Sequence, residues 1–150
     1  MGYSTSYIGK IKVDKLNVAA IKKFRELDFI DLRTRRDLTE KYPYLFTADK
    51  DYLVIDYIDF KLSEDMEYIV DGGVEGSYAS DIQIKFLIDE ILEICPDFIA
   101  NGIIECQGEE IGDLYAIIVT NNIVHKISAT IEKKESKEHI CPNCGFGFKD

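Results

Sequence analysis

Period-two alternation opens the chain: over residues 7–13, Tyr7, Ile11 and Val13 fall on one side, which predicts a strand. From Asn17 the apolar spacing changes to threes (Val18, Ile21, Phe24, Leu27). Asp14 or Asn17 can cap the first turn, so a helix is expected over 17–27. A second helix is expected over 31–42, with Leu32 and Leu38 inward, Arg33, Arg35 and Arg36 outward, and Pro43 as its stop. Residues 52–60 predict a strand, 66–71 another, and Gly72-Gly73-Val74-Glu75-Gly76 a loop. Ser80 with Gln83 three residues later has the form of a capping box. The helix it opens carries the inner stripe Ile84, Leu87, Ile88, Ile91, Leu92 and Cys95 and ends at Pro96. Strands follow over 98–107, 114–120 and 123–133, with Asn121-Asn122 as a two-residue hairpin turn.

That order, β-α-α-β-β-α-β-β-β, predicts an α+β fold. The expected form is an antiparallel sheet with helices on one face, an extended ferredoxin-like sandwich. Residues 1–133 read as a single α+β domain and 134–150 as a polar linker and Cys-x-x-Cys tail.

Charge sharpens the picture. The 150 residues carry a net −10, but residues 1–50 sum to +4, 51–125 to −15 and 126–150 to +1. A surface so acidic repels nucleic acid and attracts a basic partner, or it serves only to keep a solvated face in water. No apolar run approaches a membrane span, and the opening residues lack a signal peptide's basic and apolar regions, so a cytoplasmic chain is expected. Four cysteines in such a chain point to thiols or metal ligands rather than disulfides.

Three places carry candidate chemistry. Cys141-Pro-Asn-Cys144-Gly145 resembles one knuckle of a zinc ribbon. Two thiolates three residues apart can grip one cation, and the turn's N–H groups bond to the sulfurs. A closed tetrahedral Zn2+ site needs two more ligands. His139 is a candidate third, and a second copy of the knuckle across a homodimer completes the set with least strain; the alternative is a tail that binds nothing. Glu105, Glu109, Glu110 and Asp113 gather around one hairpin and could bind a hard cation or act as acid and base, though an acidic contact surface is the preferred reading. Asp71 and Glu75 flank Gly72, Gly73 and Gly76; with Asp81 beside them and no lysine in the loop, a phosphate cradle is disfavoured. The basic stretch 22–36, with Arg33, Arg35 and Arg36, offers nucleic acid a footing, but interleaved acids at helical spacing suit ion pairing better. Cys95 and Cys106 read as core thiols, and no nucleophile elbow, Walker lysine or Rossmann fingerprint occurs.

The opening Met1-Gly2-Tyr3-Ser4-Thr5 and the hairpin Gly108-Glu109-Glu110-Ile111-Gly112-Asp113-Leu114 together resemble a group of small phage and prophage proteins. Members begin Met-Gly-Tyr-x-Thr and carry a Gly-Glu-Glu-x-x-Asp-Leu/Trp hairpin near the C-terminal end. The resemblance spans roughly residues 1–130; Gln107 departs from the small residue expected before Gly108, and the cysteine tail is an addition. It implies phage origin. The expected function is a non-enzymatic accessory protein that binds a host protein through Glu105, Glu109, Glu110, Asp113, Asp71 and Glu75, as an anti-CRISPR-like inhibitor of an antiviral defence. Two alternatives are a small nucleotide-binding protein or enzyme with a cleft between sheet and helices (Tyr7, Tyr57 or Tyr78 as its walls), and a nucleic-acid module using Arg33, Arg35 and Arg36.

Overall fold

The computed structural model describes residues 5–28, 30–47, 52–72, 79–108, 114–131 and 146–149. Its centre is an antiparallel pair, β1 (Thr5–Asp14) and β4 (Ile99–Gly108), joined over ten residues from Thr5↔Gly108 to Asp14↔Ile99. On one side lie β3 (Tyr68–Asp71) and then β2 (Phe60–Leu62); on the other β5 (Leu114–Thr120), β6 (Ile123–Ile131) and β7 (Phe146–Lys149) follow in turn. The order is β2-β3-β1-β4-β5-β6-β7, antiparallel throughout. The chain is therefore a mixed α+β fold.

Alternation sets the core. Ile11 and Val13 on β1, Ala100, Ile104 and Cys106 on β4, and Tyr115, Ile117 and Val119 on β5 are buried, while Ile8, Lys10, Ile103 and Glu105 between them are exposed. β1 and β4 approach closely at two glycines. A Cβ on Gly102 would stand 2.6 Å from the Lys10 carbonyl oxygen, and one on Gly9, where φ is +117°, 2.4 Å from that of Ile103.

Helix α1 (Val18–Leu27) starts where the Asn17 side chain accepts from the Ala20 N–H at 2.7 Å; the same amide donates to the Ile94 carbonyl. Its buried stripe is Ala20, Phe24 and Leu27. Val18, expected on that stripe, is 83% exposed, because strict spacing by threes drifts around a helix of 3.6 residues per turn and leaves Val18 on the side opposite Ala20 and Phe24. Helix α3 (Ser80–Ile94) buries Ile84, Phe86, Leu87, Ile88 and Ile91. These side chains join α1 and the inner sheet residues in one apolar cluster.

Two expectations need correction. The helix predicted over 31–42 is a 3-10 turn (Leu32–Thr34) followed by a single helical turn, α2 (Arg36–Thr39), and Pro43 opens another 3-10 turn rather than closing a helix. Local bonds prevent continuity: the Asp31 carboxylate accepts from the Arg33 N–H, and the Thr34 hydroxyl donates to the Asp31 carbonyl. The strand predicted over 52–60 survives only as Phe60–Leu62 and isolated bridges at Leu53 and Tyr57. Its backbone is spent on the preceding segment, since Val54 N–H bonds to Leu45, Tyr52 accepts from Thr47, and Asp56 accepts from Leu32.

The Asn121-Asn122 turn is as read, with both residues at positive φ (47° and 72°) between β5 and β6. β7 lies within the tail expected after 133 and extends the same sheet along β6.

Candidate functional site

The positions of the sequence-derived candidates are soon stated. Glu105 stands exposed on β4 between Ile8 of β1 and Ala116 of β5. Asp71, also exposed, ends β3 opposite the buried Phe60. Glu105 shares its face with Ile8 and Ile103 and Asp71 shares parity with the buried Ile69, so the two carboxylates leave opposite faces of the sheet. Glu75, Glu109, Glu110 and Asp113 lie outside the described residues, as do Cys141, Cys144 and His139. Among the described residues no group of three or more His, Cys, Asp and Glu could hold a metal ion. No described helix is long and apolar enough to cross a membrane.

The arginines are already engaged. Arg33 forks onto Asp31 with two 3.0 Å bonds and also donates to the Tyr57 hydroxyl, Arg35 forks onto Asp37, and Arg36 meets Glu40 at 3.5 Å. Hydrogen bonding from Arg33 holds Asp31 below the usual carboxylate range, and Arg35 does the same to Asp37.

Sequence reasoning missed two polar clusters, one at each end of α3. At its start, a chain of hydrogen bonds runs through the interior. Tyr7 donates to the Asp59 carboxylate at 3.0 Å and lies 2.7 Å from the Ser80 hydroxyl, which lies 3.0 Å from the Tyr115 hydroxyl. Gln83 clamps Asp59 from both sides, its amide donating to the carboxylate at 2.9 Å and its oxygen accepting the Asp59 N–H at 2.6 Å. One order uses each hydroxyl proton once: Tyr115 to Ser80, Ser80 to Tyr7, Tyr7 to Asp59. Burial raises the pKa of Tyr7 and of Tyr115 well above an ordinary tyrosine, and burial pushes the neighbouring Cys106 thiol up to about 12. At neutral pH these groups stay protonated.

The same geometry corrects the capping box. Ser80 is the first helical residue, Ala79 before it takes the left-handed conformation (φ 57°), and among the described residues no side-chain cap bond forms at the helix start. Ser80 and Gln83 are instead buried members of the Tyr7–Asp59 network. Tyr7 and Tyr115 gave one readable signal, a hydroxyl-bearing ring at an inward position of an alternating strand.

Near the other end of α3, Glu90 is wholly buried. Its Oε2 accepts from Lys41 Nζ at 2.6 Å and from the Tyr42 hydroxyl, and Lys41 also reaches Glu93 at 2.8 Å. Its Oε1 has no hydrogen bond; Lys23 Nζ of α1 stands 3.5 Å away, in ion-pair range only. Burial opposes ionisation of Glu90, but the bonds from Lys41 and Tyr42 and the two ammonium charges outweigh it and hold its pKa below the ordinary 4.5. Beside it the Tyr44 hydroxyl donates to Asp89 at 2.6 Å. This cluster ties α1, α3 and the 41–44 segment together.

Geometry therefore supplies two buried polar interlocks, one built on hydroxyls and an amide around Asp59 and one on ammonium groups around Glu90. No family model, no curated protein sequence and no solved structure matches this chain.

Proposed function

We propose that the chain is a phage-encoded, non-enzymatic accessory protein that binds a host protein through acidic surface, in the manner of an anti-CRISPR-like inhibitor of an antiviral defence. The observation that carries this reading is the Tyr7–Ser80–Tyr115–Asp59 network, whose two tyrosine hydroxyls are held protonated by burial and engaged in hydrogen bonds. It sits where β3 leads to α3 and where β4 leads to β5, and it spends every hydroxyl on fixing those elements to one another. A frame so fixed, in a chain whose 71–81 and 105–113 stretches are acidic in sequence, suits charge-complementary association better than catalysis. The contact residues are Glu109, Glu110 and Asp113 of the β4–β5 connection, Asp71 and Glu75 before α3, and Glu105.

Capture from a bacterial lysate tests it. One stoichiometric host protein is expected on the wild-type chain and not on the Glu109→Lys/Glu110→Lys variant; a partner retained by that variant removes the acidic surface from the reading.

Two finer readings belong with this one. The order β2-β3-β1-β4, with α1 following β1 and α3 following β3, supports a ferredoxin-like sandwich with its helices on one face, extended by β5–β7. The Zn2+ reading of Cys141 and Cys144, with His139 or a second knuckle completing the ligands, is favoured by the strand that follows it. β7 begins directly after Gly145 and pairs with β6, so a knuckle there would be anchored to the sheet. Metal analysis of protein purified without chelator decides: about half a zinc per chain for a shared site, one for a site within the chain, and none if the tail binds nothing.

A further inference from the structure

The sheet face away from the buried side chains of β1, β4 and β5 carries an apolar patch in a protein of net charge −10. Ile8 is 71% exposed and Ile103 52%, and Ile118, beside Ile103 on β5, is only half-buried. Their arrangement is specific. In the β1–β4 register Ile8 pairs with Glu105 and Lys10 with Ile103. The four side chains thus form a rectangle with isoleucines on one diagonal and opposite charges on the other. Among the described residues neither Lys10 nor Glu105 makes an ion pair, although Lys10 Nζ rests 3.9 Å from the centre of the Tyr68 ring.

We propose that this face is covered by a second copy of the same chain, related by a two-fold axis running along the Ile8–Ile103 diagonal. That axis is the one that makes the patch self-complementary. It sets Ile8 on Ile8 and Ile103 on Ile103, and it turns Lys10 of each copy onto Glu105 of the other, twice over. Placing the axis along or across the strands instead sets each charge against an isoleucine. With strands about 4.8 Å apart and alternate residues about 6.7 Å apart along them, the diagonal makes the two sheets cross at roughly 70°, near the orthogonal class of sheet packing. In the dimer Glu105 faces the copy, and contact with a host protein falls to the remaining carboxylates. The inference does not depend on host binding.

Sedimentation equilibrium on the full chain, with no host protein and with chelator present, tests it. The wild type is expected at twice the chain mass and the Ile8→Glu/Ile103→Glu variant at the chain mass, still folded by circular dichroism because both residues are exposed. Lys10→Glu should weaken the dimer roughly a hundredfold, tenfold for each symmetry-related contact, and Lys10→Glu/Glu105→Lys should restore it. A wild type that stays monomeric, a dimer that survives both isoleucine substitutions, a dimer that chelator dissolves, or a charge swap that fails to restore association overturns the proposal.

Discussion

At the start of α3 the buried acceptor is Asp59, held by a tyrosine hydroxyl and a glutamine amide; two turns further along the helix it is Glu90, held by two lysines and a tyrosine. The first cluster distributes its bonds so that each donor has one acceptor. The second concentrates two positive charges on one carboxylate and still leaves Oε1 without a hydrogen bond. A hydroxyl lost from a chain of bonds leaves the chain's other donors in place, whereas a carboxylate that faces two ammonium groups depends on each of them. The two interlocks should therefore fail differently.

A yardstick comes from the apolar stretch between them. Leu87→Ala, at a fully buried site, should cost about 2–5 kcal/mol in chemical denaturation. A loss well under 1 kcal/mol would mean that the middle of α3 carries little of the core.

Removing one ion partner comes next. Lys41→Met leaves Glu90 buried with only Lys23 and Tyr42, and about 2–3 kcal/mol of destabilisation is expected. Glu90→Gln should cost less, about 1–2 kcal/mol, since the lysines keep partial access to water while the amide keeps one bond. If the glutamine variant proves the less stable of the two, the contrast between the ends of α3 has been drawn the wrong way round.

At the start of α3, Tyr7→Phe removes one hydroxyl from a chain of several, and about 1 kcal/mol is expected from the same denaturation curves. A loss as large as that of Lys41→Met would show the network to be as brittle as the ion cluster.

Acid separates the clusters without mutation. Glu90 binds its proton less readily in the folded chain than in the unfolded one. Its contribution is therefore complete above about pH 4.5 and drains away as pH falls through the lower folded value. Thermal melts of the wild type and of Glu90→Gln should accordingly converge as pH drops below 4.5; parallel curves would remove Glu90 as a source of the acid sensitivity. The smallest effect is an absence of reaction: Cys106, protonated and buried, should resist a thiol-alkylating reagent at pH 8 until the protein is unfolded, as peptide mapping would show.

Parts of this contrast were legible in the sequence. The apolar stripe of α3 and the Asn121-Asn122 turn depend on neighbours in the chain; the turn stands as read, and so does the stripe except that Leu92 is only partly buried and Phe86, not read into it, is fully buried. Ser80 and Gln83 were misassigned because a capping box and a buried polar network use the same residue types. What distinguishes them is Tyr7 and Asp59, far away in sequence. The 52–60 segment has a strand's composition, but its hydrogen-bonding partners proved to be turns rather than strands. Glu90 advertised itself faintly, as an acid beside the inner positions 87 and 91, whereas nothing near Lys41 or Lys23 announced that they would meet it. Of the acidic candidates, Glu105 and Asp71 are exposed; they leave opposite faces because Glu105 alternates with the buried Ile104 and Cys106 while Asp71 shares parity with the buried Ile69.

The pairing of β1 with β4 also has a consequence in time. Thr5 meets Gly108 and Asp14 meets Ile99, and even β3 begins only at Tyr68. On a ribosome adding about 5–20 residues per second, β1 would wait roughly 5–20 s for its long partner. During that interval Ile8, Ile11 and Val13 have no sheet to join. Lys10 and Lys12 interrupt the apolar run at alternate positions and Lys15 follows its end, and like charges on neighbouring nascent chains keep one waiting β1 from pairing with another. The lysines thus act as gatekeepers before there is a fold for them to decorate.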